Sequence, residues 1–262
     1  ASPGPQKEES RLLSPSYFEM IPVQYRKGPW SPVSYVTLGG WMVVLLSMIP
    51  RMAQSYAQDV ARIAPTPGDR SWWLTVAIAT WCLALSAVMV RQWTIWPFFS
   101  YTLMCWSLLM LRCACAALGH YSHVALVAAE VLRFPALAGA TITTVVWNCL
   151  LQFVIYYLLP PNRRPGFVKF NFQFLLVNIH VLNLPLAFAS HFLTPRPLVF
   201  FDLWVTGVWM YTYALFYIFV IDARGFHLYP ILTPRTHWCF FVYNGILGLL
   251  FGVYRLCQWI VE

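Results

Sequence analysis

Six stretches of this chain are apolar over the length of a membrane crossing: residues 72–90, 93–118, 135–159, 171–193, 198–221 and 238–260. A helix needs about 20 such residues to cross the hydrocarbon of a bilayer. A seventh run, 33–49, sits at the short limit, holds Gly39-Gly40 and stops at Pro50-Arg51. None of the runs alternates apolar with polar residues, so barrel strands are excluded. Lipid offers no partner to an open backbone group, which leaves the helix as the conformation each run can adopt. The expected fold is therefore all-α, a polytopic transmembrane helix bundle. Six core spans occupy 72–262, and an extra N-terminal span with its loop occupies 33–71. A polar, Pro-rich tail without a core fills 1–32.

Composition narrows the function. Of the 262 residues 60% are apolar and 10% are charged, where soluble domains carry about 25% charged residues. That excludes a disordered chain, a collagen-like fibre and an ordinary cytosolic globule. The net charge of +8 does not make a nucleic-acid binder, because Lys and Arg fall in short clusters between apolar runs. Such clusters flank spans and meet anionic lipid heads. Counted over seven spans, ten Lys and Arg lie on the N-terminal side and six on the other, which would place the N-terminus on the cytosolic or matrix side; counted over six spans the split is about as lopsided the other way, so the charges leave the orientation open. The 7 cysteines form no C-x-x-C pair, so they read as buried structural thiols, and no metal or cofactor is expected. His120 and His123, near Glu130, share a helix face and read as interface histidines. Phe226, His227, Tyr229-Pro230 and His237 read as boundary anchors.

Ionisable groups inside hydrocarbon are costly and become functional candidates by default. Arg112 falls inside the second long run, and His191 and Asp202 fall near run ends. His180 is the most informative. It lies mid-run in Asn178-Ile179-His180-Val181-Leu182-Asn183-Leu184-Pro185. One reading is a neutral imidazole bonding between helices through the adjacent amides. The other is a proton acceptor for a nearby hydroxyl, the minimal nucleophile–base arrangement. At 1.5 Å per residue, His180 and Ser100 lie roughly 14 and 10 Å deep on spans entered from the same side. Thr102 and Thr37 lie on spans entered from that side too. No G-x-S-x-G elbow occurs, which removes a soluble hydrolase of that type.

These residues carry a resemblance. N-I-H-V-L-N-L-P at 178–185, L-T-P-R-P-L at 193–198, a Tyr/Trp-rich run and G-F-H-L-Y-P-I-L at 225–232 together resemble the androgen-induced multi-pass membrane hydrolases. The related rolling-stone-like proteins share the likeness. Upstream, W-P-F-F-S-Y-T at 96–102 resembles that family's W-x-F-x-T segment, and R-F-P at 133–135 resembles its F-P. The likeness covers residues 72–260 as six helices. It implies a Thr on an early span and a His before L-P as the catalytic pair that cleaves lipid esters of hydroxy fatty acids. His180 matches the His, and the Thr position falls on Ser100, so the hydroxyl survives in changed form. Thr102 lies about 200° around the helix from Ser100. Thr37 lies outside the resemblance.

Two functions are expected from this. The first is a non-catalytic accessory subunit of a larger membrane assembly, a mitochondrial respiratory or ATP-producing complex, with neighbouring subunits and anionic lipids such as cardiolipin as partners. It rests on the Ser-for-Thr change and the basic extra N-terminal segment, and it places the chain in the mitochondrial inner membrane. The alternative is an intramembrane lipid-ester hydrolase, which would also suit the endoplasmic reticulum. There Ser100 attacks, His180 accepts its proton, and Asn178 or Asn183 orients the ring or donates to the oxyanion. A transporter finds too few charges for a coupling path.

Overall fold

The computed structural model describes residues 27–59, 71–93, 95–193 and 196–261. The expected tail (most of 1–32) and the loop at 60–70 fall largely outside them. Each apolar run becomes helical, and no strand occurs among the described residues.

Helix α1, Pro32–Ser47, opens with proline at its first turn, where the missing N–H is not needed. It breaks at Met48 and resumes as α2, Ile49–Asp59, bent by 44°. Pro50 explains the break, since it cannot donate to the carbonyl four residues back. Helix α3 is Ser71–Trp93 and α4 is Tyr101–Leu118. The run at 93–118 is thus not one helix. A 3-10 turn at Trp96–Phe99 precedes α4, and Ser100 caps it, its Oγ accepting from the Leu103 N–H at 3.4 Å.

Helix α5 runs from His123 to Leu158, 36 residues, or about 54 Å. Its start is twelve residues before the expected one at 135, because Ser122 caps it and Pro135 is carried inside the helix. Membrane helices tolerate internal proline when neighbours satisfy the freed backbone. Short α6, Arg164–Asn171, is followed by α7, Phe174–Phe192, α8, Phe200–Arg224, and α9, Cys239–Val261. Gly225 ends α8 in the left-handed region at φ 84°, the conformation that a helix stop favours.

Three spans contain π-turns: Trp147–Leu151 in α5, Asn178–Leu182 in α7 and Tyr217–Ile221 in α8. Helix α5 is the central element and packs on α4, α7, α8 and α9. Its Phe134, Leu137, Ala138 and Ala140 are fully buried with Trp106 and Leu109 of α4. Gly139 permits the close approach, since a Cβ there would lie 2.8 Å from the Cys105 Sγ. Small residues at such crossings let membrane helices pack tightly.

Cross-links between helices fix the two ends of the bundle. At the end where α4 begins, here the proximal end, the Ser31 N–H bonds Pro234 O at 2.9 Å and the Tyr101 N–H bonds the Tyr229 Oη at 2.9 Å. At the distal end Trp72 Nε1 donates to Ala117 O at 3.0 Å, Trp204 Nε1 to Leu45 O at 3.0 Å and Gln258 Nε2 to Leu198 O at 3.2 Å. Successive long helices therefore alternate in direction. Six are long and apolar enough to cross a membrane, and α1 with α2, counted as one bent span, makes a seventh. The chain is an all-α, multi-pass membrane protein.

Candidate functional site

The π-turn in α7 places His180 inside the bundle, 5% exposed. Its ring lies flat on the indole of Trp147, from the π-turn of α5, with centroids 4.1 Å apart and planes 5° from parallel. The next residue of that turn, Asn148, donates to His180 O at 3.2 Å. Two widened turns thus grip each other, and π-turns recur at functional positions in helices. The ring's Nδ1 has no hydrogen-bond partner among the described residues.

The amides expected to support the ring do other things. Asn178 accepts from Trp81 Nε1 at 3.1 Å, joining α7 to α3, and donates to Phe174 O at 2.8 Å. Asn183 is fully buried, and neither of its side-chain atoms has a partner among the described residues.

The hydroxyls are dispersed. Ser100 stands at the entrance of α4 rather than seven residues inside it, so the depth expected for it does not hold. Its Oγ serves as the helix cap, and among the described residues no hydrogen bond joins it to His180. Thr37 bonds back to Val33 O at 2.8 Å on its own helix. Thr102 lines a cavity of about 80 Å³ in the proximal half of the bundle. Trp147 lines the same cavity, so one indole separates it from the imidazole.

Tyrosines dominate this cavity: Tyr101, Tyr213, Tyr217, Tyr229 and Tyr243. They tie it to the loop between α8 and α9. The Tyr229 N–H donates to the Tyr217 Oη at 3.0 Å, the Tyr243 hydroxyl donates to Leu232 O at 2.8 Å, and the Tyr213 hydroxyl donates to Phe99 O at 3.3 Å. Burial pushes the Tyr229 phenol above its ordinary value, so it stays protonated and can both donate and accept.

The loop itself is anchored by Asp222. One carboxylate oxygen meets His227 Nδ1 at 2.6 Å and the other meets Arg235 Nη1 at 2.7 Å. His227, expected as a boundary anchor, is instead buried in the fold, and Tyr229 is partly buried. Phe226 stacks on Trp96 at 5.5 Å, while His237 and Trp238 are exposed at the boundary.

A second polar cluster lies at the distal end. Arg196, in the link between α7 and α8, binds Asp202 with two nitrogens at 2.7 and 3.1 Å. Its Nε reaches Glu130 of α5 at 3.3 Å, and the same Glu130 oxygen lies 3.5 Å from Arg133 Nε. Arg112 of α4 donates to Ser190 of α7 at 2.5 Å. Burial alone would lower the Arg196 guanidinium, but Asp202 and then Glu130 outweigh it and hold its pKa above the ordinary value. A helix starting at Pro135 would leave Glu130 and Arg133 outside it, whereas both lie on α5. Their i,i+3 spacing puts them on one helix face only because Pro135 lies inside the helix.

Among the described residues no group of three or more His, Cys, Asp or Glu could hold a metal. His120 and His123 are exposed, and the neighbouring Glu130 faces arginines. No family model, curated protein or solved structure matches the chain.

Proposed function

We propose that this protein is a non-catalytic accessory subunit of a larger membrane complex, built on a helix bundle of the kind found in the lipid hydrolases it resembles. One observation supports the reading: the Ser100 hydroxyl caps α4, the His180 imidazole is stacked on Trp147, and among the described residues no hydrogen bond joins the two. Covalent catalysis needs the two within about 2.6–3.2 Å, or somewhat looser in a resting enzyme. Several polar groups of the spans serve helix joints instead, among them Asn178 to Trp81 and Arg112 to Ser190. The membrane is proposed to be the mitochondrial inner membrane, the complex a respiratory or ATP-producing one, and the basic loops to meet anionic lipid of the cardiolipin type.

Lipid-ester hydrolysis is the second reading, favoured by one feature. Thr102 lines a cavity whose wall, Trp147, stacks on His180. Chemistry there would require the indole to turn aside.

Purification from native membranes in a mild detergent tests the first reading. The expected result is a particle in which this chain is stoichiometric with other subunits and stays so at high salt. A particle of this chain alone, labelled by a fluorophosphonate probe that Ser100→Ala abolishes, would overturn it.

A further inference from the structure

We propose that the short helix α6, with the chain on either side of it, is the binding site for an anionic phospholipid of the proximal leaflet. The proposal rests on the anionic-lipid part of the reading above and narrows it to one place. It does not depend on the chain being a subunit.

Charge selects the ligand. Between Glu130 and Asp202 the sequence holds no acidic residue, and three of the cations in that interval, Arg163, Arg164 and Lys169, fall within seven positions. Arg163 and Lys169 are exposed and Arg164 is half-buried. Among the described residues the one carboxylate at the proximal end is Asp222, which is held by His227 and Arg235. A basic surface of this kind is complementary to lipid phosphate. The choline of a zwitterionic lipid would add a cation to the three, so the lipid that fits carries net negative charge.

Local structure fixes the cations in place. Pro160 and Pro161 set the turn after α5, and Pro165 sits in the first turn of α6. Proline locks φ, so this turn has little freedom to lose. The Arg164 guanidinium lies 5.1 Å from the centroid of the Tyr156 ring, and its Nε donates to Leu159 O at 3.2 Å. A planar guanidinium held in this way gives up less freedom on meeting a phosphate than a loose one. Phe167 is buried and pins α6 to the bundle, which leaves Val168 and Lys169 on the outward face.

Apolar side chains decide the source of the phosphate. Tyr157, Phe172 and Phe174 are 71%, 78% and 62% exposed. Rings so exposed beside cations suit the boundary of a bilayer, where the rings meet acyl chains and the cations reach the headgroups. A soluble phosphate would use the cations and leave the rings without a partner. A phospholipid uses both.

The test is photo-crosslinking of the full chain in phosphatidylcholine nanodiscs. Two clickable diazirine probes are added in trace amounts, a phosphatidylglycerol and the matching phosphatidylcholine. The expected result is labelling of residues 157–174 by the phosphatidylglycerol probe well above that by the phosphatidylcholine probe, with the preference shrinking at high salt. Each cation at an anionic surface contributes about fivefold in affinity. Arg164→Gln with Lys169→Gln should therefore lower the phosphatidylglycerol labelling about twentyfold. Lys169→Glu, a change at an exposed position, should lower it by a similar factor, and it carries the test if the double variant misfolds. Lys27→Gln with Arg224→Gln removes two proximal cations outside α6 and should leave the labelling unchanged. Equal labelling by the two probes overturns the proposal. So does a loss in the Lys27 and Arg224 variant as large as that in the α6 variants, which shows a diffuse field and not a site. Competition by glycerol phosphate beyond that of sodium chloride at equal ionic strength also overturns it, because the ligand is then a soluble phosphate. The composition of the particle from native membranes decides the subunit reading separately.

Discussion

The distal end of the bundle adds a long-range charged joint to its neutral ones, whereas the long-range joints of the proximal end are neutral and made mainly by tyrosines. Distally, Arg196 joins Glu130, 66 residues away in sequence, to Asp202. One guanidinium thus locks α5, the α7–α8 link and α8 together. Proximally, the charged group is local: Asp222 holds His227 and Arg235, only 5 and 13 residues further on. The long-range joints at that end are neutral, from tyrosine hydroxyls to backbone. Hydrogen bonds to charged groups contribute about 1.5–3 kcal/mol, against about 1 for neutral pairs. The end with the weaker joints is the end that keeps a cavity. Polar residues in the spans therefore serve two purposes, fastening at one end and lining a space at the other.

Substitutions at the two ends test this contrast, and thermal unfolding in detergent reads each of them. Asp202→Ala should do the most damage, about 3–5 kcal/mol, because it strands Arg196 beside a single carboxylate and removes the acceptor for the Val199 N–H. Gly139→Ala should cost about 1–3 kcal/mol by forcing α4 and α5 apart at Cys105. Tyr243→Phe, a proximal joint, should cost about 1 kcal/mol. A loss as large as that of Asp202→Ala would erase the difference between the ends. Ser100→Ala should cost about 1 kcal/mol as a lost cap, with no change in any ester turnover.

Much of the architecture was legible in the sequence because lipid leaves an apolar run of this length little choice but a helix. Span limits were less so. Pro97 and Pro135 look alike as breakers, yet the first precedes a helix and the second lies inside one. Only the packing around Phe134 and Ala136 distinguishes them, both buried beside Pro135. That same ambiguity concealed Glu130 and Arg133. His180 was correctly singled out as buried, but its surroundings were not foreseen. Trp147 lies 33 positions earlier in an apolar run, and no local pattern marks a π-turn. Likewise nothing in G-F-H-L-Y-P indicates that Asp222 reaches forward to His227.

Ester hydrolysis in proteoliposomes tests whether the buried His180 imidazole works with a nucleophile. The purified chain is given a fatty acid ester of a hydroxy fatty acid, beside His180→Ala and empty vesicles. For a non-catalytic subunit, all three release product at the same background rate. Turnover by the unmodified chain well above empty vesicles, abolished in His180→Ala while that variant stays folded, would contradict it.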